Sequence, residues 1–184
     1  IGDYSLTYSF KQQSDGAYAV WYDGAKLISK VAADSLSFID YKATNFYASW
    51  VCLQSINELS GFTVKTADKD YSFGIVYDDS EDAEETYVIT YNGKKLVASD
   101  FQSFYQECIS LACSDYTVDK INAAPDMTFV FTYSDTSRAA TSVEFKKASE
   151  TKYQYSIDGI DMGKINSSAL NKILKQVQKL TAEK

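Results

Sequence analysis

The sequence predicts an α+β fold in which antiparallel sheets are built from repeated ββββα units, each with one helix packed across its sheet. Three observations carry this. The dipeptides Asp23-Gly24, Asn92-Gly93 and Asp158-Gly159 recur 69 and then 66 residues apart, and such pairs favour the two-residue type I′ hairpin, whose central positions both need positive φ. Apolar or aromatic residues stand at every second position before each dipeptide: Tyr22, Val20, Tyr18; Tyr91, Ile89, Tyr87; Ile157, Tyr155, Tyr153. That is the period of a half-buried strand. Beyond the second and third turns the apolar period changes to three and four, the spacing of an amphipathic helix.

In chain order, YSLTYSF at residues 4–10 reads as the remaining strand of a shorter first copy. Leu27, Leu96 and Met162, three residues beyond each turn glycine, are placed to return the second hairpin strand to the core. After the first hairpin only Asp34 to Ile39 offers a helix. Before the second hairpin stand FTVKT and YSFGIVY, within residues 62–77. Ser99 and Gln102 then have capping-box spacing, followed by the stripe Phe101, Phe104, Tyr105, Cys108, Ile109 and Ala112. Before the third hairpin stand MTFVFTY and TSVEFKK, within residues 127–147. Its helix starts at Asn166 or Ser167 and carries Leu170, Ile173, Leu174, Val177 and Leu180. A twisted sheet cannot bury its apolar face alone, so a helix is expected to lie across it. The units run 1–60 (short), 61–115 and 116–184. A single proline suits so strand-rich a chain.

A hydrophobic content of 45% is enough to fill a core in a chain of 184 residues. The net charge of -7 repels a phosphate backbone and an anionic membrane surface, which argues against nucleic acid as a partner. No window approaches the ~18 to 20 uninterrupted apolar residues of a spanning helix. The chain opens Ile1-Gly2-Asp3 without methionine, as expected if a leader or anchor has been removed. Cys52, Cys108 and Cys113 form no C-x-x-C pair, and without histidine there is no mixed zinc ligand set. They read as buried apolar thiols; a disulfide from Cys52 to one of the other two stays open.

The runs AYAVWYDGAKLISKVAADSL, ELSGFTVKTADKDYSFGI and ETYVITYNGKKLVASDFQSFYQECISL resemble the bacterial domain of unknown function DUF4340. The likeness extends from Ala17 to Lys184 and is clearest between Phe62 and Leu111. It is a pattern of strands, turns and helix starts. The resemblance implies an extracytoplasmic, secreted or membrane-anchored protein found beside ABC-type export systems. It brings no catalytic residues.

Two stretches suggest sites. In DDSEDAEE, residues 78–85, Asp78, Ser80, Asp82 and Glu84 alternate as oxygen ligands for calcium do. An EF-hand loop, however, needs glycine where Ala83 stands and glutamate where Ile89 stands, so a solvated hairpin loop between Tyr77 and Tyr87 is the plainer reading. Trp21, Tyr47 and Trp50 fall outside the repeating core positions and offer flat amphipathic surfaces to a sugar or a peptide.

Lack of histidine excludes the common Ser/His and Cys/His nucleophile pairs. No phosphate-loop, nucleophile-elbow or dinucleotide fingerprint is present. The sequence therefore leads to a non-catalytic, monomeric scaffold or interaction module of the cell envelope that uses no cofactor. Its expected partner is an envelope protein, with a transporter component foremost, and any membrane contact comes through a segment outside this chain. The alternative is a glycan- or peptide-binding module acting through the aromatic residues.

Overall fold

The computed structural model describes residues 7–22, 26–40, 49–80 and 86–182. The chain divides into two compact units, Ile1–Tyr47 and Ala48–Lys184.

The first unit holds β1 (Tyr8–Gln12), β2 (Tyr18–Tyr22) and β3 (Lys26–Val31), an antiparallel sheet in that order. Gly16, at φ 83°, closes the β1–β2 turn, where the Gln13 N–H reaches the Ala17 carbonyl at 2.7 Å. Val20 and Ala19 are buried. The Asp23-Gly24 turn lies outside the described residues. The helix expected over Asp34 to Ile39 is not α-helical. Ala33–Asp40 forms 3₁₀ turns, broken at Leu36 (φ -116°, ψ 17°). The cause is local: the Asp34 carboxylate accepts the Ser35 N–H at 3.0 Å, a side-chain bond that competes with helix propagation.

The second unit is α+β and contains both α-helices of the described chain. Its strands are β4 (Leu59–Thr66), β5 (Asp70–Tyr77), β6 (Tyr87–Tyr91), β7 (Lys94–Lys95), β8 (Met127–Tyr133), β9 (Thr141–Lys147), β10 (Lys152–Ile157) and β11 (Ile160–Asn166). Helix α1 (Ala98–Ile109) follows β7, and α2 (Ser167–Thr181) follows β11. All eight strands form one antiparallel sheet in the order β11-β10-β9-β8-β4-β5-β6-β7, so β4 and β8 meet at its centre.

The period-two reading places the core correctly. Ile89 and Tyr91 are buried on β6, as is Tyr155 on β10, while Tyr87, Tyr153 and Ile157 pack partly buried against the same cluster. Both described turns take the predicted geometry, with Asn92 and Gly93 at φ 50° and 75° and Asp158 and Gly159 at 48° and 82°. Phe62 sits at the centre, fully buried, its ring 5.3 Å from Tyr105 and 6.2 Å from Phe104 on α1, and 5.0 Å from Phe131 on β8. Phe101, Phe104, Tyr105 and Cys108 of α1 and Leu170, Ile173 and Val177 of α2 close this face. Burying one such side chain contributes roughly 1.5–3 kcal/mol.

Two local expectations fail. Met162 does not return to the core and is 41% exposed. A bulge opens between Tyr155 and Ser156: Tyr155 faces Gly163 and Ser156 faces Asp161, leaving Met162 as the extra residue, and Ile165 takes the inward position. Ser99 and Gln102 form no capping box. Helix α1 begins two residues earlier, with Val97 at the N-cap and no side-chain cap bond, and Ser99 lies in the first turn with its carbonyl accepting the Ser103 hydroxyl at 2.8 Å. Asp100 places negative charge at that end instead.

Candidate functional site

The candidate site of the second unit is assembled where the chain leaves α1. Residues 49–51 run antiparallel to residues 111–113, with the Val51 N–H on the Leu111 carbonyl (2.8 Å) and the Cys113 N–H on the Ser49 carbonyl (2.7 Å). These bonds flank the pair Trp50 and Ala112. In that arrangement the two side chains share one face at close range. Ala112 forms part of the wall of a cleft of about 290 Å³ between the end of α1 and the start of α2, together with Glu107, Ser110, Asn166, Ala169 and Lys172. Trp50, 48% exposed, is the bridge partner of that wall residue. Lys172 Nζ meets Glu107 Oε2 at 2.7 Å, and the Asn166 side chain makes no cap bond to α2. An indole, an amide and an exposed ion pair make an amphipathic surface, suited to hydroxyl and peptide groups.

The same chain exit continues as a strap over β11. The Lys164 N–H donates to the Asp115 carbonyl at 2.6 Å, and the Ser114 N–H donates to the Lys164 carbonyl at 2.8 Å. Further on, Gln154, 2% exposed, accepts the Asp119 N–H at 2.6 Å and donates to the Asp119 carbonyl at 3.0 Å. Both ends of a buried amide are thus satisfied.

A second polar group ties residues 54–58 to the β8–β9 hairpin. The buried Tyr133 hydroxyl lies 2.8 Å from Gln54 Oε1 and 2.9 Å from Thr141 Oγ1, and the Tyr105 hydroxyl donates to the Gln54 carbonyl at 2.8 Å. Arg138, the only arginine of the chain, covers the Tyr133 ring and pairs with Glu58 at 2.8 Å. Burial pushes the Tyr105 phenol well above its ordinary range. This group is a structural clasp between the two segments.

Of the sequence-predicted site residues, Trp21 is partly exposed on β2 in the first unit, and Trp50 belongs to the second. Tyr47 lies outside the described residues, as do Asp82 and Glu84. Asp78 and Ser80 are described, and the Asp78 carboxylate is engaged by the Ser80 N–H at 3.0 Å, a turn contact that holds its pKa below the ordinary value. Among the described residues no group of three or more acidic or cysteine side chains is placed to hold a metal ion. All three cysteines are free thiols, Cys52 and Cys108 buried and Cys113 partly so; burial raises the pKa of both buried thiols. The cleft and the clasp had no sequence signal, because their members lie up to 84 residues apart.

Comparison with protein-family models, curated proteins and solved structures returned no match. Among the described residues no helix is long and apolar enough to cross a membrane.

Proposed function

We propose that the chain is a non-catalytic interaction module of the bacterial cell envelope, built on a ββββα unit repeated as in DUF4340. Residues 61–115 and 116–184 supply two copies, and residues 1–60 a shorter one. The supporting observation is the agreement of the two later segments: β4 to β7 followed by α1, and β8 to β11 followed by α2, each with a positive-φ turn at the same place and a buried residue, Ile89 or Tyr155, three positions before it. That agreement favours the strand and turn pattern on which the resemblance rests. In this reading the protein faces outside the cytoplasm as a monomer, uses no cofactor, and docks against an envelope protein, foremost a component of an ABC-type export system.

Affinity capture of the tethered protein from membranes in mild detergent tests this. Co-recovery of a permease or ATPase component is the expected result; recovery of the protein without any transporter component overturns it.

A second reading, a glycan- or peptide-binding module, is favoured by the exposure of Trp50, the bridge partner of Ala112 in the wall of the cleft at Glu107, Asn166 and Lys172. Indole stacking is the chemistry it would use. A saturable change in tryptophan fluorescence on titrating oligosaccharides, lost in Trp50→Ala, would support it.

A further inference from the structure

Helix α2 departs from the charge of the chain that carries it. The chain is acidic, with a net charge of -7, yet the helix sequence SSALNKILKQVQKLT holds Lys172, Lys175 and Lys179 and no acid. Spacings of three and four residues set these lysines along one side of the helix, and all three are exposed. That side faces away from Leu170, Ile173 and Val177, which are buried against the sheet.

Like charges at these spacings repel one another. Glu107 offsets one of them, meeting Lys172 Nζ at 2.7 Å. Among the described residues no acid pairs with Lys175 or Lys179. The helix dipole accounts for Lys179 alone, since only that lysine lies in the last turn. A row of cations without partners on an acidic protein breaks the chain's own local pattern, and such breaks concentrate at functional surfaces.

A cleft opens at the head of the row. It holds about 290 Å³, and Lys172 belongs both to its wall and to the lysine row. Leu111 and Ile173, 5% and 1% exposed, give it an apolar lining. A cavity of about 150 Å³ takes up benzene, so this one has room for an aromatic or leucine-sized side chain. From Lys172 to Lys179 the row runs about 10 Å, the length of about three residues of extended chain. A side chain anchored in the cleft therefore leaves the following residues of its own chain over Lys175 and Lys179.

We infer that the exposed side of α2 and the cleft at its start form a docking face for an acidic segment of a partner protein, which seats one large apolar side chain in the cleft and lays its carboxylates along Lys175 and Lys179. The inference rests on the reading of the chain as an interaction module and names the face that docks. A lipid surface is the poorer occupant. A helix that lies in a membrane surface turns an apolar side to the acyl chains, whereas in α2 those residues face the core, with Leu174 and Leu180 packed partly buried against it. A second copy of the chain brings its own net charge of -7, and the two repel.

The test is an amide NMR titration of the whole chain with the peptide GEEDFDEEG, whose one phenylalanine has acids on both sides. Shift changes that saturate and centre on Ala169, Lys172, Lys175 and Lys179 are expected, with a dissociation constant below about 1 mM. Lys175→Glu and Lys179→Glu together, at exposed positions and checked for native circular dichroism, should weaken binding at least tenfold. Raising the salt from about 50 to 300 mM should weaken it severalfold. A peptide with alanine in place of phenylalanine leaves the cleft empty and should bind at least fivefold less tightly. Failure to saturate, shifts centred elsewhere, or binding indifferent to the charge reversal or to the phenylalanine overturns the inference. So does co-sedimentation with phosphatidylglycerol vesicles, or a concentration-dependent dimer in sedimentation velocity, that the double variant abolishes, since either assigns the face to another occupant. Peptide binding is independent of membrane capture, so the docking face can fail while the envelope reading stands.

Discussion

Gly163 faces Cys113 so closely that a Cβ added to the glycine would lie 2.8 Å from Cys113 Sγ, and 2.7 Å from the Asp115 carbonyl oxygen. The glycine is what lets the strap after α1 lie on β11. Gly163→Ala should therefore destabilise the second unit by about 1–3 kcal/mol through overpacking, read as a lower urea midpoint. Because one of the two contacts is backbone, adding Cys113→Ala should restore only part of the loss. A silent Gly163→Ala would mean the strap is not seated there.

The Tyr133 clasp gives an internal comparison of buried and exposed polar contacts. Tyr133→Phe removes a hydroxyl that is 3% exposed from its bonds to Thr141 and to Gln54 Oε1, which keeps the Arg138 guanidinium at 3.2 Å, and should cost about 1–2 kcal/mol. Glu58→Gln breaks an ion pair whose side chains are 45% and 58% exposed, and should cost under about 1 kcal/mol, less still in high salt. Chemical denaturation of both variants at two salt concentrations decides the order.

Phe62 and Ser72 probe the two faces of the sheet. Phe62 is enclosed by rings from α1 and β8, so Phe62→Ala should lose roughly 3–5 kcal/mol. Ser72 is exposed on the opposite face, its hydroxyl bonded among the described residues to the Thr63 hydroxyl at 3.2 Å, so Ser72→Ala should stay within about 0.5 kcal/mol. Comparable losses at both positions, measured by urea titration, would show that the second face is covered too.

What the sequence disclosed and what it hid follow from the range of each interaction. Tyr87, Ile89 and Tyr91 could be placed because alternation is a local property of a strand. Asn92-Gly93 could be placed because two positive φ values leave few residue choices. Met162 was misplaced because a bulge shifts the alternation by one, and nothing in Ile157 to Gly163 announces it. Ser99 matched a capping-box spacing, but the Val97 carbonyl already accepts the N–H groups of Asp100 and Phe101, so the helix had begun. The seat of Trp50 beside Ala112 was illegible, since it depends on a ladder between two segments separated by β4 to β7 and the whole of α1.

Stability should fall at both ends of the pH range, for opposite reasons. Asp115 is held below its usual 3.8 chiefly by the Thr117 backbone N–H, and Asp135 chiefly by the Ser137 side chain. Groups lowered on folding contribute stability that is present above the unfolded pKa and lost as pH drops through the folded one. Thermal melts should therefore decline below about pH 4, and Asp135→Asn should flatten that limb. At high pH the sign reverses. Burial raises Cys108 above its usual 9.0 and Tyr105 above its usual 10.0, so their contribution is complete below those values and lost as pH rises past them. Cys108→Ala lowers the plateau by leaving a small cavity, yet combined with Cys52→Ala, which removes the other thiol raised by burial, it should also move the alkaline onset from near pH 9 to near pH 10, where Tyr105 begins to titrate in the unfolded chain. An onset that stays near pH 9 in the double variant would remove both thiols from this account and leave their burial without consequence for alkaline unfolding.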